Sequence, residues 1–339
     1  MLVQVLLWLK FLACLLIILF SGAKLARYGD AIAEKTGLGR IWIGLVLIAA
    51  ITSAPELITA VSSVALVGRP DLAVGTLIGS CTFNLTILAL LDILHHQTPA
   101  LSEVKQRHIA SAGMGVLLAA IAGGSILAGG GLWRLSLGWV GVPTIIILVL
   151  YLVAMWLIFR LERNRASLLP EEAALRYEQD SAKALYLKFA LTAAAVIGAG
   201  IWLSYTGDEM AATYGWSASF VGSLFLAITT SMPELVVAIA ALRLGAIDMA
   251  AADILGANML DIAHLFTADL FYRQGPILAS VSGVHLISVV TTMAMSLVVI
   301  IGCRFRRRTK TFIVMSWYTP VLIGLYILSA YAIFRGLLL

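Results

Sequence analysis

Residues 29–57 read GDAIAEKTGLGRIWIGLVLIAAITSAPEL, and residues 207–235 read GDEMAATYGWSASFVGSLFLAITTSMPEL. Aligned without a gap at an offset of 178, they agree at 11 of 29 positions. The matches are Gly29/Gly207, Asp30/Asp208, Ala33/Ala211, Gly37/Gly215, Gly44/Gly222, Ala49/Ala227, Thr52/Thr230, Ser53/Ser231, Pro55/Pro233, Glu56/Glu234 and Leu57/Leu235. Shared hydrophobicity would not put glycines, a proline and four polar residues in the same order, so the chain contains an internal duplication.

Both copies end inside an apolar run, and such runs fill the chain. Of 339 residues, 61% are hydrophobic and 12% charged, with a mean hydropathy of +1.00. Soluble domains hold about 45–50% apolar residues, so the excess must face lipid. Three cysteines, Cys14, Cys81 and Cys303, lie in or beside apolar runs and suggest no disulfide framework. Runs long enough to cross ~30 Å of hydrocarbon fall at about 2–22, 41–67, 71–94, 108–129, 137–160, 185–205, 218–242, 248–271, 278–302 and 313–336. The first has neither a basic start nor a small-residue cleavage site and reads as a membrane helix rather than a signal peptide.

The net charge of +5 reports orientation rather than a nucleic-acid partner. Loops after the odd-numbered runs hold 18 of the 23 Lys and Arg, including Lys24, Arg27, Lys35, Arg40, Arg160, Arg163, Arg165 and the cluster from Arg304 to Lys310. The even-numbered loops hold only Arg69, Arg134 and Arg273. By the positive-inside rule the odd loops are cytoplasmic and both termini lie outside an inner or plasma membrane.

The expected fold is therefore an all-α integral membrane protein of ten transmembrane helices, arranged as two five-helix repeats. Five is odd, so the second repeat is inverted. Residues 1–161 form the first repeat, 162–183 a cytoplasmic loop reading as a short charged helix, and 184–339 the second repeat. A binding site is expected between the repeats near the midplane.

Each copy places a polar tetrad in mid-span, Thr52-Ser53-Ala54-Pro55 and Thr230-Ser231-Met232-Pro233, followed by a glutamate. Proline lacks an N–H and clashes with the preceding turn, so each helix should break there. Glu56 and Glu234 then sit where an ionised carboxylate costs several kcal/mol unless paired, hydrated or protonated. No Lys or Arg lies near the centre of either helix, which leaves mobile cations as the natural partners. Ser53 and Thr52 stand three and four residues before Glu56 and share its face, and Thr230, Ser231 and Glu234 repeat the spacing.

Two further segments match, Gly79-Ser80-Cys81-Thr82-Phe83-Asn84 and Gly256-Ala257-Asn258-Met259-Leu260-Asp261, each followed eight residues later by Asp92 or Asp269. Two glutamates, Asp261, the Asn84 amide and the hydroxyls of Thr52, Ser53, Ser80, Thr230 and Ser231 form an all-oxygen set suited to a hard divalent cation. Soft-metal ligands do not converge: Cys81 stands alone, and His95 and His96 end a helix. Asp92 and Asp269, near helix ends, are expected at the interface with headgroups.

TSAPE with GSCTFN, and TSMPE with GANMLD, resemble the two alpha-repeat signatures of the calcium/cation antiporter superfamily, near its prokaryotic sodium/calcium exchanger branch. The resemblance covers nearly the whole chain. It implies Glu56 and Glu234 as principal calcium ligands, with Asn84 and Asp261 beside them and the hydroxyls serving calcium or sodium. It also implies alternating access by sliding of helices 1 and 6. Three departures stand out: Ala257 for a usual serine, Cys81 for asparagine and Asp253 for asparagine. Asp253, Ala257 and Asp261 share one face, with His264 a turn further on, so Asp253 and His264 are extra titratable candidates.

The function expected is secondary antiport, calcium leaving in exchange for sodium or protons at one shared carboxylate site. No resident cofactor and no ATP-binding loop of the G-x-x-x-x-G-K-[ST] type is expected, and no nucleophile–base pair suggests an enzyme. The partners are inorganic cations and the bilayer; the sequence leaves the oligomeric state open and is compatible with a monomer. Exchange of magnesium, manganese or potassium, or a non-transporting ion-sensing scaffold, stay open as alternatives.

Overall fold

A backbone in hydrocarbon must bond to itself, which makes each long apolar run a helix. The computed structural model describes residues 2–35, 49–95, 98–129, 135–166, 182–307 and 309–336, and it is helical apart from one small hairpin. In chain order the helices are α1 (Leu2–Lys35), α2 (Ala54–Ala65), α3 (Pro70–Leu94), α4 (Ala100–Glu103), α5 (His108–Ala128), α6 (Val142–Ala166) and α7 (Ala182–Tyr214). There follow α8 (Ala218–Thr230), α9 (Met232–Arg243), α10 (Ile247–Phe271), α11 (Ile277–Ser280), α12 (His285–Arg304) and α13 (Tyr318–Arg335). Ahead of α6, strand Ser136–Leu137 pairs antiparallel with Val140–Gly141.

Among the described residues seven helices are long and apolar enough to span a membrane, and α8 with α9, bent by 43° at their junction, makes an eighth. Shorter apolar helices, Ala54–Ala65 and Val142–Ile158, fall within two more expected runs. Boundaries differ where polar residues continue a helix past its apolar run: α1 extends to Lys35 and α7 covers 182–214. The run expected at 278–302 is divided, because the chain turns at Val281–Val284 between α11 and α12. Residues 41–48 of the second run, His96, Arg134, Arg308 and most of the charged loop, 167–181, lie outside the described residues.

Burial separates centre from periphery. In their most apolar stretches α3 and α10 are 72% and 67% buried, against 22% for α1 and α7, which pack along each other. Glycine lets helices meet at backbone distance: a methyl on Gly79 of α3 would lie 2.5 Å from the Ser223 carbonyl oxygen of α8. At Gly22, α1 crosses Pro233 just as closely, and at Gly200, α7 crosses Ile58.

The two central helices are pinned at both ends by aspartates. At the start of α3, Asp71 accepts from the Ser282 amide (2.8 Å) and pairs with His285 (2.9 Å). At the start of α10, Asp248 accepts from the Lys105 amide (2.7 Å) and pairs with Arg107 and His108 (both 3.1 Å). At the end of α3, Asp92 accepts from the amides of Ala100 and Ser316 and the hydroxyls of Ser316, Tyr318 and Thr319. At the end of α10, Asp269 accepts from the amides of Gly141 and Ile277 and from Thr144. Asp92 and Asp269, expected near the interface, stand in the last turns of α3 and α10 and are fully enclosed by protein, because segments from the other half fold over them.

Candidate functional site

The duplicated tetrads break their helices in the same way. Ser53 (φ −81°, ψ 9°) and Ser231 (φ −85°, ψ 10°) leave helical geometry at matching positions, and α2 and α9 start at once with Pro55 and Pro233 in their first turn. Ser53 N–H still reaches Ala49 O (3.0 Å) and Ser231 N–H reaches Ala227 O (3.1 Å). Glu56 and Glu234 fall in the first turn of the new helices, where the positive end of the helix dipole favours a negative charge. A π-helical turn, Gly222–Leu226, precedes the second break.

The halves exchange hydroxyls across their seam. Ser231 Oγ donates to Glu56 Oε1 (2.8 Å), and Ser53 Oγ donates to Glu234 Oε1 (3.3 Å). Ser80 Oγ lies 3.4 Å from Thr230 Oγ1 and 3.5 Å from Ala227 O. Thr52 and Thr230 donate to Ala49 O and Ala227 O in their own helices. Asn84 Nδ2 donates to Asp261 Oδ2 at 3.5 Å. All nine residues are at most 1% exposed; four contacts join Ser231 to Glu56, Ser53 to Glu234, Ser80 to Thr230 and Asn84 to Asp261, while Thr52 bonds only to Ala49 O.

The electrostatics are lopsided. Glu56 Oε2, Glu234 Oε2, Asn84 Oδ1 and Asp261 Oδ1 are buried acceptors without a hydrogen-bond partner. Among the described residues no Lys, Arg or His forms an ion pair with any of these carboxylates. An unpaired buried charge is strongly destabilising, so the arrangement is incomplete without something positive. No three His, Cys, Asp or Glu side chains among the described residues close into a metal-sized cluster. The acids alone do not enclose an ion; amide, hydroxyl or carbonyl oxygens are needed beside them.

Cys81 sits against its counterpart in the other half. Its sulfur lies 3.6 Å from Asn258 O, and Asn258 Nδ2 donates to Cys81 O at 3.3 Å. Asn258, whose Oδ1 is also unpartnered, had escaped the sequence reading, although its match to Cys81 at an offset of 177 pointed to it. The same offset relates Asp71 to Asp248 and His285 to His108, the pins described above. Asp253 is buried with both carboxylate oxygens unpartnered, and His264 is buried with its Nδ1 unpartnered; neither bonds to the nine residues.

Comparison with known proteins agrees with this architecture. The solved structure of native YfkE superimposes with a TM-score of 0.63 at 18% identity, covering 96% of this chain and 92% of that one. The sodium-calcium exchanger NCX_Mj superimposes with a TM-score of 0.61 at 19% identity, covering 96% and 98%. At that identity the likeness concerns the fold. The inner membrane protein YrbG of Escherichia coli (strain K12) is 28% identical over 270 residues, 78% of this chain and 79% of that protein. The family model described as sodium/calcium exchanger protein matches residues 6–160 and 184–338. A model matched along almost the entire chain, on a scaffold of membrane-length helices, makes this protein a member of the sodium/calcium exchanger family, a multi-pass membrane cation antiporter rather than an enzyme.

Proposed function

We propose that this antiporter exports calcium in exchange for sodium or protons by alternating access at the seam between its halves. The observation that carries this reading is the set of four buried, unpartnered acceptors on Glu56, Glu234, Asn84 and Asp261. Hydrogen-bond donors would have satisfied a merely structural polar cluster; acceptors alone call for a cation, and hard oxygen ligands call for a hard one. Glu56 and Glu234 act as the principal calcium ligands, Asn84 and Asp261 stand beside them, and Thr52, Ser53, Ser80, Thr230 and Ser231 lend oxygens to calcium or the coupling ion. Calcium is cargo, and no resident cofactor takes part.

One compact set of carboxylates cannot neutralise calcium and a full load of coupling ions together, so the two compete and the inward gradient drives export. In this reading the ten helices form two inverted repeats, 1–161 and 184–339, joined by a cytoplasmic loop at 162–183, with both termini outside. The pins at both ends of α3 and α10 favour a rigid centre, and the exposed pair α1 and α7, crossing the breaks at Gly22 and Gly200, is suited to slide over it. The relative NCX_Mj, named as a sodium-calcium exchanger, supports the choice of ions.

The test is uptake of radioactive calcium into inverted vesicles with sodium and proton gradients imposed separately. At least one gradient drives uptake if the reading is right; uptake indifferent to both would overturn it.

A further inference from the structure

The segment joining α12 to α13 reads RFRRRTKTFIVMSW over residues 304–317. It holds five basic residues and no acid, and no acid follows Asp269 anywhere in the chain. Among the described residues Arg304, Arg306, Arg307 and Lys310 form no ion pair. The acids at this end of the molecule are already engaged: Asp92 by hydroxyls and amides, Glu103 by His95, and Asp248 by Lys105, Arg107 and His108.

Two of the cations shape the segment. Arg306 Nη2 donates to Val104 O (2.7 Å), and Lys310 Nζ donates to Asp92 O and to Val314 O. With those side chains drawn inward, apolar ones are left outside: Phe305 is 68% exposed, and Phe312, Ile313 and Val314 are half to fully exposed. Three consecutive exposed apolar residues are costly in water and mark a surface that something covers. Their position points to the bilayer. Val290, Leu297 and Ile301 form an exposed apolar stripe along α12, and Phe305 continues it at steps of seven, four and four residues. The apolar rim therefore ends a lipid-facing stripe, with the exposed Arg304 and Arg307 beside it at the level of the headgroups.

We propose that this segment is a seat for anionic phospholipid, with its apolar residues among the upper acyl chains and Arg304 and Arg307 on the headgroup phosphate. In the topology proposed above the leaflet is the cytoplasmic one, and the inference rests on that reading only for the side of the membrane. Lys310 and Ser316 of the same segment close over Asp92, in the last turn of α3. Lipid on the rim thus braces the helix that carries Ser80 and Asn84.

The experiment uses the full chain in phosphatidylcholine liposomes holding a minor share of phosphatidylglycerol. Thr311→Cys, at an exposed position among buried native cysteines, carries an environment-sensitive fluorophore. Bromine is placed on the acyl chains of either the phosphatidylglycerol or an equal amount of the phosphatidylcholine. Quenching by the anionic lipid should exceed quenching by the neutral one, since each basic residue near such a surface favours anionic lipid by about fivefold. In Arg304→Gln/Arg307→Gln, on the same labelled background, the excess should fall by at least about fivefold. Inorganic phosphate, added against chloride of equal ionic strength, should leave the excess in place. Phosphatidylglycerol added to the detergent-solubilised protein should also raise its melting temperature more than phosphatidylcholine does, and the difference should vanish in the double variant. No quenching by either lipid would overturn the proposal and leave the segment to a soluble partner. Equal quenching by the two lipids in wild type, an excess that inorganic phosphate abolishes, or a double variant that keeps the wild-type excess would overturn it as well. Equal effects of the two lipids on wild-type melting would overturn the brace.

Discussion

Asn84 and Asp261 occupy the same position in the duplicated sequence, 177 residues apart, and hydrogen-bond to each other at 3.5 Å. Cys81 and Asn258, matched at the same offset, also touch each other. Two copies of one position can meet only at the seam where the halves face one another, so the polar chemistry is built where neither half could make it alone. The halves share a skeleton but differ in charge along that seam: Asn84 against Asp261, Ser80 against Ala257, Thr76 against Asp253.

The aspartate pins should dominate stability without setting ion preference. Asp92→Asn turns an NH2 group toward donors from Ala100, Ser316, Tyr318 and Thr319, leaving buried groups unsatisfied at a cost of about 2–3 kcal/mol. Asp269→Asn should behave likewise toward Gly141 and Thr144. Thermal unfolding in detergent should shift down by several degrees for each, while the calcium concentration giving half-maximal flux stays at the wild-type value.

Glycine substitutions should separate helix contact from helix propensity. Gly79→Ala places a methyl 2.5 Å from backbone oxygen of Ser223, so α3 and α8 must part, at about 1–3 kcal/mol. Gly124→Ala in α5 meets open space and should be neutral or stabilising by up to ~1 kcal/mol. Melting temperatures of the two variants, measured side by side, check the contrast.

Ala257→Ser would give α10 the hydroxyl that α3 presents at Ser80, where it reaches Ala227 O and Thr230. Flux of calcium against a sodium jump should rise in this variant while flux against a pH jump does not. An unchanged ratio of the two would show that the missing hydroxyl has no part in sodium coupling.

Orientation can be read by labelling. The native cysteines are buried, so Ser136→Cys and Thr309→Cys, both at exposed positions, report with little background. A membrane-impermeant maleimide on intact cells should label position 136 and spare position 309; the reverse pattern would invert the assigned topology.

Much of this architecture was legible in the sequence because duplication turns isolated residues into pairs. Glu56 and Glu234 stood out through their shared Thr-Ser-X-Pro context, and the serines of that context bond to them across the seam. Asp92 and Asp269 did not: nearness to a helix end cannot show that Ser316 to Thr319, or Gly141 to Thr144, come from the other half to cover them. The reciprocal Asp–His pairs were missed because their partners lie 140 and 214 residues apart, although the offset of 177 marks all four residues. The contact of Cys81 with Asn258 depends on the same packing across the seam, which no local pattern encodes.

The central claim is that Glu56 and Glu234 together hold the transported divalent ion. The most direct measurement is radioactive calcium flux in inverted vesicles for Glu56→Gln and Glu234→Gln, each removing a charge and keeping the shape, with insertion and thermal stability checked alongside. Flux at the level of empty vesicles in both, with the folded protein present at wild-type amounts, is the predicted result. Wild-type flux in either variant would contradict it.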